Sequence, residues 1–104
     1  MEKIAVAGFD WDKGNLAKCA NHGVTVEEIE TFFLAGPAVA PDPVHSAVED
    51  RLIAVGWTAQ GRALFVAFTL REKRGRWLVR PVSARYMHKK EIEAYEEESS
   101  QTQK

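Results

Sequence analysis

The spacing of apolar residues divides the chain into a helical first third, a strand-forming middle and a short charged helix at the end. "IAVAGFDW" (residues 4–11) predicts a strand. Asp12 after it suits the N-cap of a short helix with Leu16, Cys19 and Ala20 on one side. "NHGV" stops that helix, because Gly23 tolerates the left-handed position after a helical turn and Val24 is placed to touch the Cys19 turn. A second helix, about 26–35, is specified by Thr25 and Glu28 as a capping box and by Val24 and Ile29 as a hydrophobic staple. It turns Ile29, Phe32 and Phe33 inward and ends at Gly36-Pro37.

Three of the four prolines fall between residues 37 and 43, so the "AVAPDPVHSAVED" region predicts a short edge strand and then a loop. Three strand-like runs follow: "RLIAVGW" (51–57), "RALFVAFTLR" (62–71) and "RWLVRPVSAR" (76–85). The turns "TAQG" and "EKRG" each carry a glycine near the end, as short hairpin loops do, which predicts an antiparallel meander. Both parities of "ALFVAFTL" are largely apolar, so that strand is central and covered on both faces. A last helix, about 88–98, puts Ile92 and Tyr95 on one side, and "SSQTQK" (99–104) reads as a flexible tail. The expected fold class is α+β: one domain over residues 1–98, with helices packed on one face of a meander sheet.

If residue 58 pairs with 62 and residue 71 with 76, one sheet face carries Leu52, Ala54, Leu64, Val66, Phe68, Trp77 and Val79, with Arg62 beside Arg85 at its edge. The other face mixes Ile53, Val55, Trp57, Phe65 and Leu78 with Arg51, Thr69, Arg71, Arg76 and Arg80. Neighbouring like charges on a sheet repel unless anions lie between them. Two occupants satisfy this. The arginines either pair with Glu49, Asp50, Glu72 or the acidic last helix, or they form a groove for phosphate, which the planar guanidinium fork suits.

Composition narrows the reading. A chain of 104 residues with 45% hydrophobic content supports one modest core and is too short for two domains. A formal charge of −1 excludes a bulk polycation, so nucleic-acid binding requires local segregation of charge. The second half supplies it, with ten cations between Arg51 and Lys90. One cysteine, Cys19, cannot close an internal disulfide, and no apolar run suits a secretion signal or a bilayer span, so a cytoplasmic location is expected. Cys19 lies in an apolar stripe and reads as a small buried hydrophobe. The histidines and the cysteine lack metal-ligand spacing, and no metal or cofactor is expected. His22 at a helix C-terminus is either a cap or a proton carrier. His45 falls in a loop, and His88 opens the last helix, where the dipole disfavours a cation.

Three segments, "FDWDKGNLAKCANHGVTVEEIETFF", "PDPVHSAVEDRLIAVGWTAQGRALFVAFTLRE" and "RPVSARYMHKKEIEAYE", together resemble the BrnT family of type II toxins over residues 9–96. "HGVT", "GR" before a strand and "SAR" before a "KEI..YE" helix occur in that order. The resemblance implies a RelE-like fold, ribonuclease activity that inhibits translation, and neutralisation by a BrnA-type antitoxin through which alone the complex meets operator DNA. It implies no membrane association, and a homodimer within the toxin–antitoxin complex. It also implies cleavage without a metal, in which clustered arginines stabilise the developing phosphorane-like charge. The pattern carries over to His22, Gly23, Asp42, His45, Glu49, Arg51, Gly61, Arg62, Thr69, Arg71, Arg80, Ser83, Arg85, Glu91 and Tyr95. The catalytic candidates are His22 and His88 as proton carriers with Arg51, Arg80 and Arg85 at the phosphate. Lys18, Arg62, Arg71, Arg76 and Lys89 are the candidate RNA-binding residues. The family usually places a lysine before "HGV", where this chain has Asn21, with Lys18 as a nearby substitute. That departure favours the alternative of a catalytically disarmed RelE-like module that binds an antitoxin or another partner.

Overall fold

A computed structural model describes residues 7–42 and 50–102. Two short helices, α1 (Lys13–Ala20) and α2 (Val26–Leu34), precede the strands β1 (Ala38–Pro41), β2 (Leu52–Trp57), β3 (Ala63–Lys73) and β4 (Arg76–Tyr86), and α3 (Lys89–Thr102) closes the order. The strands form one antiparallel meander, β1-β2-β3-β4. The expected α+β class and meander therefore hold.

The helix signals act as read. Asp12 and Asn15 make a reciprocal capping box on α1, and Thr25 and Glu28 make one on α2. Gly23 takes a φ of 80°, the left-handed stop that separates the two helices. The inward residues of α1 are Asn15 and Cys19, whereas Leu16 and Ala20 face solvent, a correction to the expected apolar side. The expected first strand reduces to an isolated parallel bridge: Val79 donates to Gly8 O at 3.0 Å and accepts from Asp10 N at 2.9 Å before the chain turns into α1. Residues 4–6 of that expectation, with His45 and Glu49, lie outside the described residues.

Both helices cover one face of the sheet. Cys19, Val24, Ile29, Phe32 and Phe33 meet Ala54, Leu64, Val66, Phe68, Val79 and Ala84 in one buried cluster. Phe33 is its hub, edge-on to Phe9, Phe32 and Phe68 with centroids 6.0, 5.5 and 4.9 Å away. Such contacts add about 0.5–1.5 kcal/mol each beyond burial. Helix α3 departs from the expected arrangement and packs on the opposite face. Ile92 and Tyr95 cover Val55 and Ala63, with Ile53, Phe65 and Met87 alongside. The reason is the two-sided apolar character of β2 and β3, which leaves Ile53, Val55 and Phe65 to be shielded from water. Helix α3 continues to Thr102, past the expected end near 98. Trp57, half-exposed, donates its indole N–H to Glu96 of α3 at 3.0 Å, and Trp11 donates to Glu30 of α2 at 3.0 Å. Trp77 stands half-exposed on the β3–β4 hairpin.

The β2–β3 register follows the expected pairing, with Trp57 opposite Ala63. The β3–β4 register does not. Lys73 pairs with Arg76 across a two-residue loop, Arg74-Gly75, whose φ values of 54° and 76° suit the tight turn that matches strand twist. The shift of two residues keeps the parity near the turn, and then a β-bulge reverses it: Phe68 pairs with Pro81 but Ala67 with Ser83, so Val82 is extra. Pro81, with no N–H to give the ladder, sits where the ladder is already broken. Beyond the bulge Ala84 and Tyr86 face the helices, and Arg85 is moved to the mixed face opposite Phe65. Arg62 and Arg85 are thus on opposite faces, not side by side.

Asn15 locks α1 to this bulge. Its Nδ2 donates to Asp10 O and to Pro81 O, both at 2.9 Å, and its Oδ1 accepts from Asp12 N at 2.7 Å. Asn15→Ala removes all three bonds and leaves buried carbonyl oxygens without donors, so stability should fall by about 2–4 kcal/mol, as measured by urea denaturation.

Candidate functional site

The sheet register gathers cations that sequence distance separates. Thr69 lies opposite Arg80, Arg71 shares its face, and Arg51 precedes Leu52, which pairs with the neighbouring Phe68. Helix α1 closes the edge with Gly14, Asn15 and Lys18, and Pro81 and Val82 of the bulge form the rest of an open pocket of about 380 Å³. Lys18, Arg51, Arg71 and Arg80 therefore line one concavity. Four cations around a volume of that size suit a phosphate group with its sugar or base, and Thr69 adds a hydroxyl.

Two carboxylates from the segment before α1 hold two of these cations, Arg71 and Arg80. Arg80 Nη2 donates to Asp12 Oδ2 at 2.6 Å, and its Nη1 lies 3.5 Å from Asp10 Oδ2. Arg71 approaches the same Asp10 oxygen at 3.7 Å, and Lys73 bonds the other at 3.3 Å. Asp10 Oδ2 is buried and accepts no hydrogen bond among the described residues, although two guanidinium groups lie within ion-pair range. The pocket is thus charged but internally opposed, with no anion needed to hold its shape. The Asp12 carboxyl is held below the usual carboxylate range, first by the Asn15 N–H and then by Arg80, while Arg80 is raised chiefly by its bond to Asp12.

The remaining candidates lie elsewhere. Arg85 grips Glu91 of α3 with two parallel bonds of 3.1 and 3.0 Å and stacks 4.6 Å from the Phe65 ring. It shares a face with the pocket but sits at the α3 end. The acidic last helix thus supplies one of the expected partners, whereas Arg71 and Arg80 pair with Asp10 and Asp12. Arg76 donates to Ala7 O at 3.2 Å, and Lys89 is exposed, 3.9 Å from Glu93. His88 is exposed and donates its backbone N–H to Glu91 at 3.2 Å. His22 is exposed in the turn after α1. Neither histidine lines the cationic pocket.

Arg62 reaches a second, larger pocket of about 590 Å³ on the side of the first two helices, bordered by Gly23, Thr25, Glu28, Gln60 and Tyr86. Its guanidinium carbon lies 3.4 Å from the centroid of the Tyr86 ring, whose hydroxyl donates to Glu28 Oε1 at 2.5 Å. Sequence reasoning missed Asp10, Asp12 and Tyr86 as site residues and read Glu28 only as a cap. No local signal marks pairs such as Arg80 with Asp12, 68 residues apart.

Among the described residues no three His, Cys, Asp or Glu side chains converge as a metal site requires, and no helix is long and apolar enough to cross a membrane. The fold is an α+β domain with a pocket lined by four cations. The family described as "Ribonuclease toxin, BrnT, of type II toxin-antitoxin system" matches residues 11–91, and the chain belongs to that family. A search of curated proteins returns no match. Membership makes the protein a ribonuclease toxin of a type II system, with an antitoxin as its partner.

Asp12 and Glu91, the latter lowered first by Arg85 and then by the His88 N–H, both have depressed folded-state pKa values. Their stabilisation is complete above the unfolded value of about 4 and is lost as pH falls through the folded values. The urea midpoint should therefore drop as pH is lowered from about 5 to about 3, and the drop should be shallower in Asp12→Asn/Glu91→Gln.

Proposed function

We propose that this protein is a cytoplasmic, RelE-like endoribonuclease that inhibits translation, cleaving RNA bound through the Lys18, Arg51, Arg71 and Arg80 pocket. The observation that carries this reading is the convergence of four cations, from α1, the residue before β2, β3 and β4, on one concavity. Guanidinium groups held by carboxylates are already oriented, so an incoming phosphate exchanges with Asp10 or Asp12 without reordering the side chains. Lys18, Arg51, Arg71 and Arg80 then hold phosphates along the bound strand. Arg62, Arg76, Arg85 and Lys89 extend the basic surface for the strand on either side.

Cleavage proceeds by attack of the 2′-hydroxyl and requires no metal, leaving a 2′,3′-cyclic or 3′-phosphate. A BrnA-type antitoxin neutralises the toxin, and a homodimer of the toxin within that complex meets operator DNA only through the antitoxin. A second reading, a disarmed binding module, is favoured by Asn21 in place of the family's lysine and by the engagement of Arg80 with both aspartates.

Induced expression separates the two. The wild-type chain should arrest growth and Arg71→Ala/Arg80→Ala should relieve the arrest. Cleavage by the purified wild type should survive a chelator. Arrest by Asn21→Lys alone would identify a disarmed copy, and cleavage abolished by the chelator would sink the metal-free mechanism. The salt dependence of RNA binding offers an independent check. Each arginine removed from the pocket should flatten the slope of log K against log salt by about 0.7, the single-strand value, whereas Asp10→Asn should tighten binding at low salt.

A further inference from the structure

In the larger pocket a phenol, a carboxylate and a guanidinium meet. Three distant segments build it, residues 23–31, 59–62 and 86. Thr25, Glu28 and Thr31 come from the start of α2, Gln60 and Arg62 from the β2–β3 connection, Tyr86 from the end of β4, and Gly23 from the turn that carries His22. Arg62 is anchored through its backbone: its N–H donates to Thr58 Oγ1 at 3.1 Å, and its carbonyl accepts from Thr58 N at 2.8 Å. Glu28 Oε1 accepts both from Tyr86 Oη at 2.5 Å and from Thr25 N at 3.4 Å. Both bonds fall on one oxygen, and Oε2 is left to take a proton.

We propose that Tyr86, Glu28 and Arg62 form the proton-transfer site for cleavage of single-stranded RNA, an inference that rests on the ribonuclease reading above. Glu28 removes the 2′-hydroxyl proton as the 2′-oxygen bonds to phosphorus. The bond from phosphorus to the 5′-oxygen breaks, and that oxygen takes the phenolic proton of Tyr86. The Glu28 carboxyl then turns to present the Oε2 proton to the phenolate, and its transfer restores both groups. The products are a 2′,3′-cyclic phosphate and a 5′-hydroxyl, with every proton accounted for. Arg62, stacked on the Tyr86 ring, offers its N–H groups to the non-bridging oxygens.

The environment suits these roles. Burial, and then Glu28, push the Tyr86 phenol above its ordinary value, so it stays protonated at neutral pH and available as an acid. Tyr86 and Arg80 are six residues apart on β4, about 20 Å along the strand. The cationic pocket thus grips phosphates of the same RNA some nucleotides from the bond that breaks. The division also places acid–base chemistry in a pocket that has such groups, since neither His22 nor His88 lines the cationic pocket.

The test is single-turnover cleavage of an oligoribonucleotide by wild type, Tyr86→Phe and Glu28→Gln, each assayed with the normal linkage and with sulfur replacing the 5′-bridging oxygen. Phe keeps the ring under Arg62, and Gln keeps a side chain able to cap α2. Each variant should lose about 10²- to 10⁴-fold in rate on the normal linkage, with RNA affinity within twofold of wild type. A thiolate leaves without a proton, so the sulfur linkage should restore Tyr86→Phe and leave Glu28→Gln slow; a merely structural role would not give this split. Wild-type rates in either variant, or no rescue of Tyr86→Phe by sulfur, would overturn the proposal. If Arg71→Ala/Arg80→Ala is inactive while Tyr86→Phe is not, this site falls and the ribonuclease reading stands. If the wild type cuts no RNA, both fall.

Discussion

One unpaired residue in β4 decides which side chains this sheet shows to water. Side chains alternate along a strand, so without the bulge at Val82 the pairing that turns Val79 and Pro81 toward the helices would turn Arg85 toward them too. A guanidinium there would displace Ala84 or Tyr86 from a cluster whose sheet residues are almost all fully enclosed and would have to shed its hydration. With the bulge, Arg80 and Arg85 lie on the same face although they are five positions apart, and Tyr86 turns to Arg62 and Glu28. The phenol pocket is a consequence of that slip, and Pro81 and Val82 of the bulge line the cationic one.

The bulge in turn depends on α1. Asn15 accepts the cap N–H of its own helix and donates to carbonyls of two other segments, tying the start of the helix to Pro81 and to the chain that bears Asp10 and Asp12. The residues that stop the sheet from slipping are therefore the ones that set counter-ions beside Arg71 and Arg80. Charge in the pocket and packing at the edge of β4 are coupled through eight residues of helix.

Local signals in the chain carried far in some places and stopped short in others. The capping boxes, the left-handed stop at Gly23, the inward face of α2 and the β2–β3 register could all be read, because each depends on residues a few positions apart. The bulge could not, since Val82 has nothing in its own side chain to mark it as extra. With the bulge went the face of Arg85. The placement of α3 was visible only as an unresolved tension, an apolar second face on β2 and β3 with nothing assigned to cover it. Arg51, Thr69, Arg71 and Arg80 could be read onto one face, but Lys18 of α1 could not be read as their neighbour. Asp10 and Asp12 looked like the end of a strand and a cap until the fold brought them against β4, and Glu28 looked like a cap until Tyr86 reached it.

The three indoles fall on three different seams. Trp11 is bonded to Glu30 on α2, Trp57 to Glu96 on α3, and Trp77 stands half-exposed on the β3–β4 hairpin. Each therefore reads a separate joint in emission spectra: the packing of α2, the seating of α3, and the hairpin beside the arginines. With the other two replaced by phenylalanine, each remaining tryptophan becomes a native optical probe, so the order in which the joints tighten when RNA or antitoxin arrives can be followed without an attached dye.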